Sequence, residues 1–205
     1  MGIRGLFTYV QSDDENIISY ELHNQRLVID AENFAALCYR RAALQCQYGG
    51  EYFAYNCYVR LFLKQFQVCH VNPIFVFGGC HPKEGSKLDT LLKRNVECYK
   101  LLRTLSSDPD FKIDLTPLLC RYILVEILRE YSIRYIACER EADLSAAELS
   151  IYLQCPVTSG DSDFFIYRPR VDNQVYRFIP FLSITPTCQK RFPPCSSCTH
   201  SDTPG

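Results

Sequence analysis

The residues of this chain best suited to chemistry are carboxylates that follow short β-rich runs. Asp30 closes Arg26-Leu-Val-Ile-Asp30. Glu139, Glu141 and Asp143 follow Ile133-Arg-Tyr-Ile-Ala-Cys138, and Asp161 and Asp163 stand in Ser159-Gly-Asp-Ser-Asp-Phe164. Crowded carboxylates repel and raise one another's pKa unless a cation neutralises them. Hard divalent cations such as Mg²⁺ or Mn²⁺ take oxygen ligands, and two of them roughly 4 Å apart need several carboxylates. Their chemistry is in-line phosphodiester hydrolysis, one ion activating water and the other stabilising the leaving oxygen. Each acid alone has a plainer reading. Asp30 could cap a strand end, Glu141 and Asp143 could offset a helix dipole, and Asp161-Ser-Asp163 could form an Asx turn. Their delivery by three strand exits to one sheet edge favours the shared cation site.

The elements that must position them read as alternating strands and helices. Strand signals fall at 26–30, 73–77, 133–138 and 156–159, with further ones at 164–167 and 176–179. Residues 33–47 and 51–69 are helical in pattern, split by Tyr48-Gly49-Gly50. The stretch 86–104 places Leu88, Leu92, Val96, Tyr99 and Leu102 on one face and Lys93, Glu97 and Lys100 on another. Thr116 as N-cap and Pro117 as first helical residue predict a helix running to about Tyr131. Another starts near Glu141, with Ala142, Ala146, Leu149 and Leu153 on one face. Alternation of this kind predicts an α/β layered domain with parallel pairing, whose ligands lie outside the carboxyl ends of the strands.

Composition narrows the function classes. With 205 residues, 47% hydrophobic and 22% charged, the chain reads as one globular domain. A net charge of -1 excludes a simple polybasic nucleic-acid or membrane binder and an acidic disordered tail. Charge is nevertheless partitioned. Residues 139–163 hold six acids against Arg140 alone, whereas 83–103 hold six bases against three acids, and basic residues predominate again after Asp163. That is an acidic pocket between basic flanks, as a phosphate-handling site requires. Twelve cysteines in this length fall short of the ~8–10% that marks a disulfide scaffold. Cys38, Cys57, Cys69, Cys120 and Cys138 lie in apolar stretches, where a reduced Cys packs as a small hydrophobe. There is no signal-peptide core, no apolar run of about 18 residues, and Leu6 departs from the myristoylation pattern. The expectation is an intracellular protein in a reducing compartment, with no membrane partner. Residues 184–205 carry prolines without periodicity and read as a disordered or divergent tail. Within it Cys188, Cys195, Cys198 and His200 contain one zinc-style knuckle, but no second knuckle accompanies it. The four histidines show no nucleophile pairing, and no phosphate loop of Walker or Rossmann type occurs.

Four segments resemble a known family. Met1-Gly-Ile-Arg-Gly-Leu6, Val28-Ile-Asp-Ala31, Glu141-Ala-Asp143 and Ser159-Gly-Asp-Ser-Asp-Phe164 are similar to the ordered motifs of the flap-endonuclease/XPG nucleases with a PIN-like domain. Tyr48-Gly-Gly-Glu-Tyr52, Gly78-Gly-Cys80 and Cys155-Pro-Val-Thr-Ser-Gly-Asp-Ser-Asp-Phe164 resemble its asteroid branch. The match covers residues 1–170. The resemblance implies a PIN-like, Rossmann-like three-layer domain over 1–183, with a mostly parallel central sheet and helices on both faces. It makes Asp30, Glu141, Asp143, Asp161 and Asp163 ligands of two Mg²⁺ or Mn²⁺ ions. Gly2 would let the chain's start pack close to the substrate, and Lys93 and Arg94, with Lys100 beyond them, would contact phosphate; Glu139 has no counterpart in the family and reads as an outer acid. The implied activity is structure-specific cleavage of flap, overhang or branched DNA at single-strand/double-strand junctions, in the nucleus and alongside DNA-repair proteins. Two departures stand out. Phe77-Gly78-Gly79 replaces the family's Phe-Asp-Gly, and the chain ends at Gly205 before the helix–turn–helix that grips duplex DNA. They motivate two alternatives, a catalytically impaired domain serving as a DNA- or protein-binding or signalling module, and a shortened product unable to act alone.

Overall fold

The computed structural model describes residues 5–12, 20–79, 86–108, 111, 115–167 and 176–184. Gly2 and the cysteine- and histidine-bearing residues 185–205 lie outside that set.

Five parallel strands form one sheet: β1 (Arg26–Asp30), β2 (Asn72–Phe77), β3 (Arg134–Ala137), β4 (Val157–Ser159) and β5 (Phe178–Pro180), in the order β3-β2-β1-β4-β5. β1 is central. It pairs with β2 through Asp30 opposite Val76 on one side, and with β4 through Ile29 opposite Thr158 on the other. Leu27 to Asp30 are all buried, as a strand covered on both faces requires.

Alternation along β1 and β2 divides the interior into two cores. Leu27, Ile29, Phe75 and Phe77 face helices α2 (Ala31–Arg41), α3 (Tyr52–Val68) and α5 (Cys120–Glu130). At its centre Phe34 meets Phe62, Phe75 and Phe181 at centroid separations of 5.3, 5.1 and 5.7 Å. Val28, Val76 and Val157 face α6 (Ala142–Tyr152) together with Cys155 and Phe164. Helices therefore cover both faces, the three-layer α/β arrangement expected. Cys38 and Cys120 are buried in the first core, and all eight described cysteines are free. Burial pushes the Cys120 thiol up to about 12, so it packs as an inert hydrophobe.

Four helices end in the same way. The residue after each cap, Ala43, His70, Ser132 or Gln154, has φ of 51 to 53°. The next residue's N–H reaches back to a carbonyl of the last turn, as in Ile133 N–H to Leu128 O at 2.8 Å and Cys155 N–H to Ser150 O at 2.9 Å. This is the Schellman closure, made without the glycine that usually occupies its left-handed position.

Several boundaries differ from the sequence reading. The strand expected at 164–167 is a 3-10 turn over Ser162–Phe165, because the Asp161 side chain accepts from Asp163 N–H and folds the chain back. The helix expected from Pro117 starts at Cys120, since Pro117 is buried against Gly50; the cap is Leu119. α2 stops at Arg41 rather than 47, and a short α1 (Leu6–Gln11) precedes the first strand. The last strand lies at 178–180 instead of 176–179. α4 (Ser86–Ser107) forms as patterned, but Leu88, Leu92, Val96, Tyr99 and Leu102 are all exposed and none joins either core.

Candidate functional site

β2 and β3 lie to one side of β1, β4 and β5 to the other, so the order reverses between β1 and β4. The crevice outside the carboxyl ends of those two strands is where open α/β sheets bind ligands. Asp30 ends β1 and Ser159 ends β4.

A hydrogen-bond relay joins them. Asp30 is 2% exposed. It caps α2 by accepting from Asn33 N–H at 3.2 Å, and it also accepts from the Asn33 side-chain amide. Ser159 Oγ donates to Asp30 Oδ2 at 2.7 Å and accepts from Asp161 N–H at 3.1 Å. Asp161 Oδ1 in turn accepts from Asp163 N–H at 3.1 Å. One buried hydroxyl therefore fixes both the β1 carboxylate and the loop bearing the other two.

α6 supplies the remaining pair. Glu141 is its N-cap residue, with extended backbone and an exposed side chain, and Asp143 lies half-buried in the first turn. Burial raises the Asp143 carboxyl to about 6, and the charges of Asp30, Asp161 and Glu141 add to that rise. Tyr167 feels the same charges. Burial and the charges of Asp143, Asp163, Asp161 and Glu141 push its phenol to about 12.

The end of β2 is shaped by two glycines with different constraints. A Cβ on Gly79 would lie 1.8 Å from the Cys138 carbonyl oxygen, and Gly79 N–H bonds to Arg140 O at 2.7 Å. No side chain fits there. A Cβ on Gly78 would meet nothing nearer than the backbone nitrogen of Ala142 at 3.8 Å. The position is open and borders the first turn of α6.

Beside Gly78 sits Arg121. Its Nη2 donates to Gly78 O at 2.9 Å, its Nη1 pairs with Glu32 Oε1 at 2.9 Å, and its guanidinium lies 5.3 Å from the centre of the Phe77 ring. Burial raises the Glu32 carboxyl, Arg121 opposes the rise, and Asp30 adds to it, which places Glu32 within reach of the cluster.

Of the five carboxylates expected at the site, Asp30, Asp161 and Asp163 share the relay through Ser159, while Glu141 and Asp143 open α6 and are linked to the relay through charge. Lys93, Arg94 and Lys100 are exposed on α4, and no described hydrogen bond or ion pair ties them to the acids. Glu139 is exposed on the bend before α6. Ser159, Asn33, Tyr167, Arg121 and Glu32 went unrecognised in the sequence. Only the small polar residue opening Ser159-Gly-Asp carried a hint. Among the described residues no three of the acids already converge on one point as a closed metal cage would. The all-oxygen donor set and the raised Asp143 carboxyl nevertheless fit a hard cation, whose binding would relieve the repulsion.

No family model matches the chain. It is 34% identical over 170 residues to the mouse single-strand DNA endonuclease ASTE1, spanning 82% of this chain and 25% of the relative. The chain is a homologue of the asteroid proteins. Drosophila melanogaster protein asteroid matches it at 29% identity over 188 residues, covering 90% of this chain and 21% of that one. This asteroid homologue therefore spans about a quarter of the length of the curated relatives it matches. Among solved structures, the catalytic core of Rad2 in complex with a DNA substrate superposes with a TM-score of 0.52 at 17% identity, over 80% of this chain and 47% of that one. That likeness establishes the fold, a PIN-like three-layer α/β domain.

Proposed function

We propose that the asteroid-like chain is a divalent-metal-dependent DNA endonuclease domain, occupying residues 1–183, that hydrolyses phosphodiester bonds near single-strand/double-strand junctions. The observation that carries this reading is the relay from Asp30 through Ser159 to Asp161 and Asp163, closed electrostatically by Asp143 and Glu141, at the switch point of the sheet. The name of the mouse relative, a single-strand DNA endonuclease, supports the substrate class.

Asp30, Glu141, Asp143, Asp161 and Asp163 would hold Mg²⁺ or Mn²⁺. Such ions activate water and neutralise charge on the leaving oxygen of an in-line displacement. The chain's own residues do the positioning. Ser159 and Asn33 hold Asp30 in one orientation, and Tyr167, protonated throughout the working range, presents an O–H donor beside the acids. Lys93, Arg94 and Lys100 offer exposed cations for backbone phosphates along α4, and Gly2 would lie at the base of the site. Work on DNA in repair, with nuclear residence and repair-protein partners, follows from the same reading.

Asp161→Asn together with Asp163→Asn is expected to abolish metal-dependent cleavage of overhang or flap DNA; cleavage that survives the pair sinks the proposal. A second reading is favoured by one observation, the empty side-chain position at Gly78 where the family's pattern has Asp. In that reading the domain binds DNA or protein without cutting. Calorimetric titration with Mn²⁺ separates the two, since uptake of two ions supports the enzyme and no uptake supports the module.

A further inference from the structure

Arg121 is placed and held in a way that its contribution to stability does not explain. Its ion pair with Glu32 joins side chains 47% and 45% exposed, and such surface pairs contribute little to stability. Yet three contacts fix the guanidinium: the Gly78 carbonyl, the Glu32 carboxylate and the Phe77 ring. Those anchors are the end of β2 and the first turn of α2. The same two elements flank Asp30, which is paired with Val76 and caps α2. A cation is therefore held at the rim of a cluster of carboxylates, on the side where Gly78 contributes none.

An acidic pocket repels the phosphodiester it must admit, and each fixed cation at its edge offsets that repulsion. Arginine suits the task. Its planar fork presents five N–H donors and binds phosphate oxygens in pairs, and stacking on an aromatic face keeps the plane in one orientation. Two donors are engaged by Gly78 O and Glu32, which leaves others directed elsewhere. Half the side chain remains in solvent. Glu32 is the competing anion that a phosphate would displace.

We propose that Arg121 is a phosphate-binding residue of the DNA site, seated where Gly78 leaves the β2 side of the pocket without a carboxylate, and that Glu32 holds it in register between substrates. The proposal rests on the reading of this domain as one that acts on DNA.

The test uses the full chain and a fluorescein-labelled oligonucleotide carrying a duplex–single-strand junction, with Ca²⁺ present. Affinity is measured against salt for the unaltered chain, Arg121→Gln, Arg121→Lys and Glu32→Gln. Loss of one phosphate contact lowers the slope of log affinity against log salt by about 0.7 to 0.9. Arg121→Gln is expected to show that drop with binding about 3- to 10-fold weaker, Arg121→Lys to keep the slope, and Glu32→Gln to bind at least as tightly as the unaltered chain. An unchanged slope in Arg121→Gln, or an effect confined to its melting temperature, overturns the assignment. Cleavage by the unaltered chain with Mn²⁺ is scored separately. Cleavage with an unchanged slope removes Arg121 and leaves the nuclease; no cleavage with a lowered slope keeps Arg121 as a DNA contact and removes the nuclease. Failure of the unaltered chain to bind the oligonucleotide overturns both.

Discussion

At the residue scale, the site depends on groups that sequence spacing reveals unequally. The five carboxylates were legible because each follows a strand-like run, and strand exits meet at one edge of a parallel sheet. Ser159 was not, because its partner Asp30 lies 129 residues away in the chain. Replacing Ser159 with Ala leaves a buried carboxylate short of one donor. Such a loss costs about 1–3 kcal/mol, measurable as a lower midpoint in denaturant titration, with weaker Mn²⁺ uptake as the second readout. Asp143 makes a pH prediction. Its folded pKa of about 6 exceeds the ordinary 3.8, so the fold takes up a proton between those values and loses stability as pH rises through about 6. In chelator, the unaltered chain should melt alongside Asp143→Asn near pH ~3 and below it near pH ~7.5, with added Mn²⁺ closing the gap. The two glycines after Phe77 should differ sharply. Gly78→Asp is expected to fold and bind Mn²⁺ more tightly, whereas Gly79→Asp should yield little folded protein by circular dichroism.

At the element scale, local side-chain chemistry overrode pattern twice. Phe164-Phe-Ile-Tyr167 has the composition of a strand, yet a single carboxylate-to-amide bond from Asp161 turns it into a 3-10 turn and sends Phe164 into the second core. Thr116-Pro117 has the composition of a helix start, yet the tertiary contact of Pro117 with Gly50 claims the proline first. The helix ends give a stability prediction. A non-glycine residue in the left-handed region is strained by ~1–2 kcal/mol, and glycine's greater freedom in the unfolded chain returns ~0.4–1 of that. Ser132→Gly, on an exposed turn with φ of 53°, should therefore raise stability by about 0.5 kcal/mol, seen as a rise of a few degrees in melting temperature.

At the scale of the whole molecule, alternation of strands and helices gave the layers and the parallel pairing, while the strand order and the two-sided core required the structure. The last described segment shows why. β5 and the 3-10 turn that follows it (Phe181–Ser183) reach both cores, with Phe178 stacked on Phe164 at 5.4 Å and Phe181 fully buried against Phe34. Arg41 on α2 donates to Phe181 O at 3.0 Å and Ile184 O at 3.4 Å. The segment 178–184 is thus structural although its sequence is short and irregular. A chain cut after 177 loses a buried Phe181 worth ~3–5 kcal/mol, and its thermal unfolding midpoint should fall steeply or its cooperative transition vanish.

Two of the five acids have a second occupation. Asp30 caps α2, and Asp161 turns the chain after β4. Asp143 works against the fold instead, since burial and its acidic neighbours raise its carboxyl. Selection acts on these residues through different routes. On the proposed nuclease reading, a lineage that ceased to cut DNA would keep Asp30 and Asp161 for the sake of folding, while Asp143 would drift toward an uncharged residue. Across related genomes, the fate of Asp143 is therefore the record of whether activity was retained, and the presence of the other two testifies only to the fold.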